Sequence, residues 1–211
     1  MAPSVLKKML LSMFFLLTLT SATTLSAQSI DKIMVFGDSL SAAYGLDAKV
    51  GWVNLLQARL DENDYKIEVI NASISGNTSG NGLHRIQNDL KAHQPDLLIL
   101  ELGGNDGLRG HPPVRLKQNL IKMIELCQEN NVQVLLIGMQ LPPSYGKRYT
   151  TAFANVYPEV AAQMNVPLVT SFIDNIGIES DLMQDDRIHP NEKGQSLLLN
   201  NVWPELKKLL D

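Results

Sequence analysis

Short apolar runs alternate with longer segments of helical period along most of the chain, and this alternation limits the folds that the sequence can adopt. Five runs have the length and composition of β-strands: residues 33–36, 67–70, 97–102, 132–137 and 168–169. Most of them are almost continuously apolar, which is typical of strands in a sheet covered on both faces. Right-handed crossovers then predict a five-stranded parallel sheet between two helical layers, a three-layer α/β/α fold.

Five segments between and after these runs have apolar residues at helical spacing. They span residues 52–60, 83–90, 116–127, 153–164 and 197–210. Pro113 suits the first turn of the third helix. Pro158 and Pro204 fall inside the last two patterns, and each predicts a kink or a restart, because proline lacks the N–H group that a helix interior needs.

The first 27 residues have the composition of a secretory signal peptide. Lys7 and Lys8 precede an apolar run over residues 9–19, and small residues follow up to Ala22 and Ala27. The run is shorter than the roughly 20 residues of a membrane-spanning helix, so we expect no stable membrane anchor. Cleavage after Ala27 leaves a single domain, residues 28–211, in the periplasm or outside the cell, and cleavage after Ala22 is the alternative.

Composition excludes several classes of function. The 211 residues include 22 acidic and 18 basic ones, for a net charge of −4 without a basic block, so nucleic acid is not an expected partner. Cys127 is the only cysteine, which allows no intramolecular disulfide. The sequence has neither paired metal-ligand motifs nor glycine-rich nucleotide-binding motifs, so we expect no metal and no cofactor. We expect a monomer with a small-molecule substrate.

Polar clusters occur where the expected strands end. Residues 37–40, 71–76 and 103–106 follow the first three strands, and residues 185–190 precede the last helical pattern. Ligands of doubly wound sheets bind beyond the carboxyl ends of the strands. We therefore expect the four clusters to meet at one edge of the sheet.

Ser39, Asp186 and His189 are the residue types that a serine nucleophile requires. A serine hydroxyl is a weak nucleophile unless a histidine takes its proton, and that histidine needs a partner on its second nitrogen. A spacing of three residues lets Asp186 reach one nitrogen of His189 and leaves the other for Ser39. As alternatives, Ser39 could cap a helix, and Asp185 could take the place of Asp186.

Acyl transfer also needs donors for the oxyanion that develops on the attacked carbonyl group. The candidates are the backbone N–H groups of Ser39 and Gly76 and the side-chain amide of Asn105. Gly76 could instead serve only a turn, and Asn105 could hold an Asx-turn. We assign structural roles to Asp38 and Asp106.

The clusters together resemble the four sequence blocks of the SGNH, or GDSL, hydrolase family over nearly all of residues 28–211. The resemblance is carried by residues 37–40, Gly76, residues 104–106, Asp186, His189 and Pro190. Residues 102–110, 141–146 and 183–186 are further similar to the bacterial thioesterase I, lysophospholipase and arylesterase branch. This resemblance implies a flavodoxin-like fold, Ser39 as nucleophile, His189 as base with Asp186, and an oxyanion hole completed by Gly76 and Asn105. Arg187 occupies a position at which that branch often has glycine. We expect this difference to affect the rim of the site and not the triad.

The motifs and the resemblance predict a serine esterase that cleaves carboxylic esters, thioesters and lysophospholipids through an acyl-enzyme on Ser39. We expect the loop after the fourth strand to contact the acyl chain through Leu141, Pro142 and Tyr145, with Leu108 opposite. Pro142 could equally serve only to stiffen that loop. A carbohydrate O-deacetylase with the same triad and a catalytically inactive binding module are the alternatives.

Overall fold

The computed structural model describes residues 29–170 and 172–211. Within them, five parallel strands form one sheet in the order β2-β1-β3-β4-β5. The strands are β1 (Lys32–Gly37), β2 (Glu68–Asn71), β3 (Leu97–Glu101), β4 (Gln133–Ile137) and β5 (Leu168–Val169). The predicted parallel α/β fold is confirmed. The expected signal peptide, residues 1–27, lies outside the described residues.

Helices cover both faces of this sheet. Those of the described residues are α1 (Trp52–Glu62), α2 (Ser79–His93), α3 (Gly104–Leu108), α4 (Pro113–Glu129), α5 (Lys147–Met164) and α6 (Glu192–Leu210). α1 packs against α6, whereas α2 and α5 both pack against α4. The long helices thus form one layer of two and one layer of three. None of the helices described combines the length and the apolar character needed to span a bilayer.

Pro158 and Pro204 lie inside α5 and α6 without ending either helix, so the predicted restarts do not occur. Both prolines are exposed. Each removes one backbone hydrogen bond, but on the exposed side water can bind the freed carbonyl oxygen. The apolar stripe of each helix stays buried, as Val156 and Val160 show in α5, and its packing offsets the lost bond.

The two central strands bring the candidate site together. β3 is buried throughout and β1 nearly so, whereas β2 at the edge is partly exposed. Because β1 lies between β2 and β3, the chain leaves β1 toward one side and returns on the other. A crevice forms at such a switch point, beyond the carboxyl ends of the strands. Gly37 pairs with Glu101 in register, so the segments after β1 and β3 start side by side.

Candidate active site

Three side chains from distant parts of the chain meet at this edge of the sheet. His189 Nε2 lies 2.8 Å from Ser39 Oγ, and His189 Nδ1 lies 2.6 Å from Asp186 Oδ2. Ser39 follows β1, whereas Asp186 and His189 belong to the loop that precedes α6. The carboxylate that contacts the imidazole is that of Asp186 and not that of Asp185.

Asp186 uses its two oxygens for two purposes. Oδ1 accepts the backbone N–H groups of Ile188 at 2.9 Å and His189 at 3.0 Å, so it shapes the turn. Oδ2 faces the imidazole. Partial burial acts to raise the pKa of Asp186, but the hydrogen bonds from the His189 ring and the two N–H groups outweigh it and lower the pKa to about 2. Asp186 is therefore ionised at neutral pH and favours an imidazole that carries its proton on Nδ1.

Gln184 connects the loop that carries His189 to the turn after β1. Its backbone N–H donates to the His189 carbonyl at 2.8 Å, and its Nε2 donates to the carbonyls of Tyr44 at 2.8 Å and Pro190 at 3.2 Å. The rings of Tyr44 and His189 are in contact, with centroids 4.6 Å apart. Gly45 leaves room for this arrangement, since a Cβ there would lie 2.3 Å from Gln184 Oε1. Sequence reasoning assigned no role to Gln184 or Tyr44, because they are 140 positions apart and no local pattern links them.

Asp38 is buried beside Ser39 and stabilises the turn that carries it. Oδ1 accepts the Leu40 N–H at 3.1 Å, which agrees with the structural role expected for this residue. Oδ2 accepts a hydrogen bond from Asn105 Nδ2 at 3.0 Å. Burial raises the pKa of Asp38 to about 6, against the effect of these two hydrogen bonds. Asp38 thus joins the turn of Ser39 to the segment after β3.

The candidate oxyanion donors line the same cavity as the Ser39 hydroxyl. Within the described residues, the backbone N–H groups of Ser39 and Gly76 have no acceptor. Gly76 has φ of +80°, a conformation that favours glycine. Asn105 Nδ2 already donates to Asp38 and, at 3.1 Å, to the Asn77 carbonyl. An oxyanion would therefore bind two free N–H groups and share one that Asn105 already uses.

Asp106 holds the start of α2 and lies apart from the triad contacts. Its buried carboxylate accepts the Ser79 backbone N–H at 2.6 Å and the Ser79 hydroxyl at 2.7 Å, and the nearby His111 Nδ1 lies 3.6 Å from it. This agrees with the structural role expected for Asp106. In the part of the chain that the structure describes, no group of three His, Cys, Asp or Glu side chains is arranged to hold a metal ion.

A cavity of about 760 Å³ opens beside Ser39 and His189. Leu108, Leu141 and Pro142, which were expected to contact substrate, line it. Further apolar side chains that sequence reasoning had not assigned also form its wall: Leu40, Met139, Ile173, Ile178, Met183 and Ile188. Their contribution could not be read from the sequence, because they come from four separate segments that only the fold brings together.

Tyr145, the remaining residue predicted to contact the acyl chain, is not among the residues that line this cavity. Its hydroxyl donates to the Leu108 carbonyl at 3.1 Å, and the residue borders a separate open groove with Lys147 and Arg148. The tight turn Pro143–Tyr145 causes the difference, because it directs consecutive residues to different sides. Tyr145 therefore supports Leu108 from outside the cavity.

The sequence of this chain is similar to that of known proteins. The chain matches the model of the GDSL-like Lipase/Acylhydrolase family over residues 35–197. It is 51% identical over 178 residues to Esterase TesA from Pseudomonas aeruginosa, covering 84% of this chain and 89% of that protein. It is 40% identical over 188 residues to Thioesterase 1/protease 1/lysophospholipase L1 from Escherichia coli, covering 89% of each.

A solved structure extends the likeness to three dimensions. The psychrotrophic esterase EstA from Pseudoalteromonas sp., inhibited by monoethylphosphonate, superposes with a TM-score of 0.82 at 40% identity, covering 85% of this chain and 98% of that one. The family model spans residues 35–197, a range that includes Ser39 and the loop that carries Asp186 and His189. This chain therefore belongs to the GDSL-like lipase/acylhydrolase family.

Proposed function

We propose that this family member is a serine esterase that hydrolyses carboxylic esters and thioesters of acyl chains through an acyl-enzyme on Ser39. The observation that carries the proposal is the hydrogen-bonded series from Ser39 to His189 and Asp186, placed in the wall of an apolar cavity. A hydroxyl group aligned with its base in this way is an activated nucleophile. The names of the relatives, an esterase and a thioesterase/lysophospholipase, support both classes of substrate.

The reaction starts when His189 Nε2 takes the proton of Ser39 Oγ as that oxygen attacks the substrate carbonyl carbon. Asp186, ionised at neutral pH, stabilises the resulting imidazolium. The oxyanion accepts the N–H groups of Ser39 and Gly76 and an N–H of the Asn105 amide. His189 then gives the proton to the leaving alcohol or thiol, and a water molecule repeats these steps on the acyl-enzyme to release the acid.

The wall of the cavity favours an acyl chain over an acetylated sugar. Leu108, Leu141 and Pro142 offer apolar contact, whereas sugar hydroxyl groups need polar partners. We expect kcat/KM for octanoyl or palmitoyl esters to exceed that for acetyl esters by about tenfold or more, since each added methylene group gains binding energy in such a pocket. A preference for acetyl esters would instead favour the carbohydrate O-deacetylase.

We also propose that the protein is exported to the periplasm or the medium and acts as a monomer. Lys7 and Lys8 with the apolar run over residues 9–19 support export. A triad and cavity that come from one chain need no second subunit. N-terminal sequencing of the exported protein should show cleavage after Ala27, with Ala22 as the alternative, and sedimentation should give the mass of one chain.

Labelling with a fluorophosphonate tests the nucleophile directly. We expect the wild-type protein to be labelled on Ser39, and Ser39→Ala to lose both labelling and turnover, with kcat lower by roughly 10⁵-fold or more at an unchanged melting temperature. Ser144→Ala is the matched control, since Ser144 is an exposed serine of the neighbouring loop, and it should label like the wild type. A folded wild-type protein that neither labels nor turns over ester would favour the inactive binding module.

A further inference from the structure

Glu101 is a buried acid that the proposed mechanism does not use. It is the last residue of β3, pairs in register with Gly37, and has no exposed surface. An acidic side chain in such a position is costly unless its oxygens are hydrogen-bonded or it is uncharged. Hydrogen bonds or a retained proton must therefore stabilise the buried side chain of Glu101.

The hydrogen-bond donors to the Glu101 carboxyl group lie in the turn that carries Ser39. Oε2 accepts the Asp38 backbone N–H at 3.2 Å and the Ser41 hydroxyl at 2.5 Å, so it contacts the residue before the nucleophile and the second residue after it. Gly37 makes this approach possible, since a Cβ at that position would lie 2.3 Å from Oε2. This steric requirement gives the glycine of the first sequence block a reason.

The surroundings of Glu101 disfavour a charge on it. Among the described residues, Oε1 has no hydrogen-bond partner and no cation pairs with the carboxyl group. The titratable groups that face it are the Asp38 carboxylate and the Tyr157 hydroxyl of α5, while Asp106 and His189 act on Asp38. Burial first, and the nearby Asp38 second, raise the pKa of Glu101 well above its ordinary value. Both effects favour the protonated, uncharged form of Glu101.

We propose that Glu101 is a positioning residue whose uncharged carboxyl group holds the turn of Ser39 and leaves Asp38 as the ionised partner of Asn105. This inference rests on the proposed esterase function. Glu101 sets the position of Ser39 through its contacts with Asp38 and Ser41. Through Asp38 it also orients the amide of Asn105. Glu101 itself touches neither substrate nor triad.

Two substitutions of similar side-chain size test whether Glu101 acts as an uncharged hydrogen-bond acceptor or only fills space. Glu101→Gln keeps a carbonyl oxygen for the donors in the turn of Ser39, so kcat should stay within about threefold of the wild type. Glu101→Met has no such acceptor, and kcat should fall by about 30- to 100-fold with KM unchanged, because a small displacement of a reacting group has an effect of this size. Active-site titration with a fluorophosphonate counts the folded enzyme, so that partial unfolding does not imitate the effect.

Ser41→Ala removes the hydroxyl contact to Glu101 without enlarging any side chain, and it remains informative if Glu101→Met does not fold. We expect kcat to fall by about fivefold with KM unchanged. Glu101→Asp keeps the acid but not its reach, and it should resemble Glu101→Met. Wild-type kcat in Ser41→Ala or Glu101→Met, or a loss in Glu101→Gln as large as in Glu101→Met, would overturn the proposal.

The pH dependence of stability gives a readout independent of turnover. When folding raises the pKa of a carboxyl group, the free energy of unfolding falls as the pH rises above the ordinary pKa of that group. The reason is that the unfolded chain releases the proton in this range, whereas the folded protein keeps it. The melting temperature of Glu101→Gln minus that of the wild type should therefore increase from about pH 5 to about pH 8. A melting-temperature difference that does not change with pH would overturn the inference that Glu101 is uncharged. A wild-type protein that is folded but shows neither labelling nor turnover would instead overturn the proposed esterase function.

Discussion

The two sides of the proposed triad are held in different ways, the proposed nucleophile Ser39 by the sheet and the proposed base His189 by a surface loop. Asp38 and Ser41, on either side of the nucleophile, are buried, and Glu101 at the end of β3 contacts both. In the loop of the base, Asp186 and Arg187 are exposed, and the turn is maintained largely by hydrogen bonds within the loop. Substitutions in the two regions should therefore differ in how activity loss relates to stability loss. Buried groups share contacts with the core, whereas few core contacts depend on the loop.

The largest effect is expected from Asp186→Asn, in the loop. Without a carboxylate on Nδ1 the imidazole loses its preferred tautomer, so kcat should fall by roughly 10⁴-fold, as for other triads. The melting temperature at pH 7 should also fall, though by less than for a buried group, because the exposed carboxylate accepts the two N–H groups of its own turn. Asp185→Asn is the matched control, because Asp185 is also exposed and makes no contact with the ring, and its kcat should equal that of the wild type. Equal losses in both variants would contradict the assignment of Asp186.

The pKa of Asp186, lowered to about 2, adds a prediction about stability. A carboxyl group with a lowered pKa stabilises the folded state above its ordinary range, and this contribution disappears as the pH falls toward the lowered value. The stability difference between wild type and Asp186→Asn should therefore be constant at neutral pH and shrink below about pH 4. Thermal unfolding measured from pH 7 to pH 3 checks the direction.

Asn105→Ala tests the region held by the sheet and should affect both properties. Loss of one oxyanion donor lowers kcat by about 100-fold. Because the same amide bonds to Asp38 and Asn77, the free energy of unfolding should also fall, by about 1 kcal/mol. Asn155→Ala, on the exposed side of α5, is the control for both measurements. If only KM changed, Asn105 would position substrate rather than stabilise the oxyanion.

Gln184→Met should have a smaller effect, confined to activity. The substitution keeps the length of the side chain but removes its bonds to the Tyr44 and Pro190 carbonyls, so the loop holds His189 less firmly. We expect kcat to fall by about tenfold at constant KM. Gln128→Met is the control, since its Nε2 also donates to a backbone carbonyl, that of Met164, far from the site. A wild-type kcat in Gln184→Met would show that the loop holds the base without this residue.

The smallest effect is expected from Arg187→Gly, and it concerns stability. Arg187 has φ of +56°, which is strained for a side chain with a Cβ. Glycine relieves this strain but adds freedom to the unfolded chain, so the net gain in unfolding free energy should be about 0.5–1 kcal/mol. Arg187→Ala removes the guanidinium group and keeps the Cβ, so it should show no gain. A gain of the same size in both would attribute the effect to charge rather than to backbone strain.

Much of the architecture could be predicted from local sequence. The five strands lie where the apolar runs occur, with ends that differ by about one residue, because a run bounded by polar residues is a local signal. The residue types of the triad were also predictable, since a serine nucleophile requires His and Asp and since Asp186 and His189 are close in sequence. The helix α3 was missed, because two glycines, an asparagine and an aspartate have no helical apolar pattern.

By itself the sequence determined the class of fold and the chemistry available at the ends of the strands, since periodicity and residue type are properties of short segments. Only the tertiary structure decided that Glu101 contacts the turn of Ser39, that Gln184 joins the two loops and that Tyr145 contacts the Leu108 carbonyl. Each of these contacts joins residues that are 37 to 140 positions apart. Such pairs meet because the whole sheet forms, so no local pattern contains them.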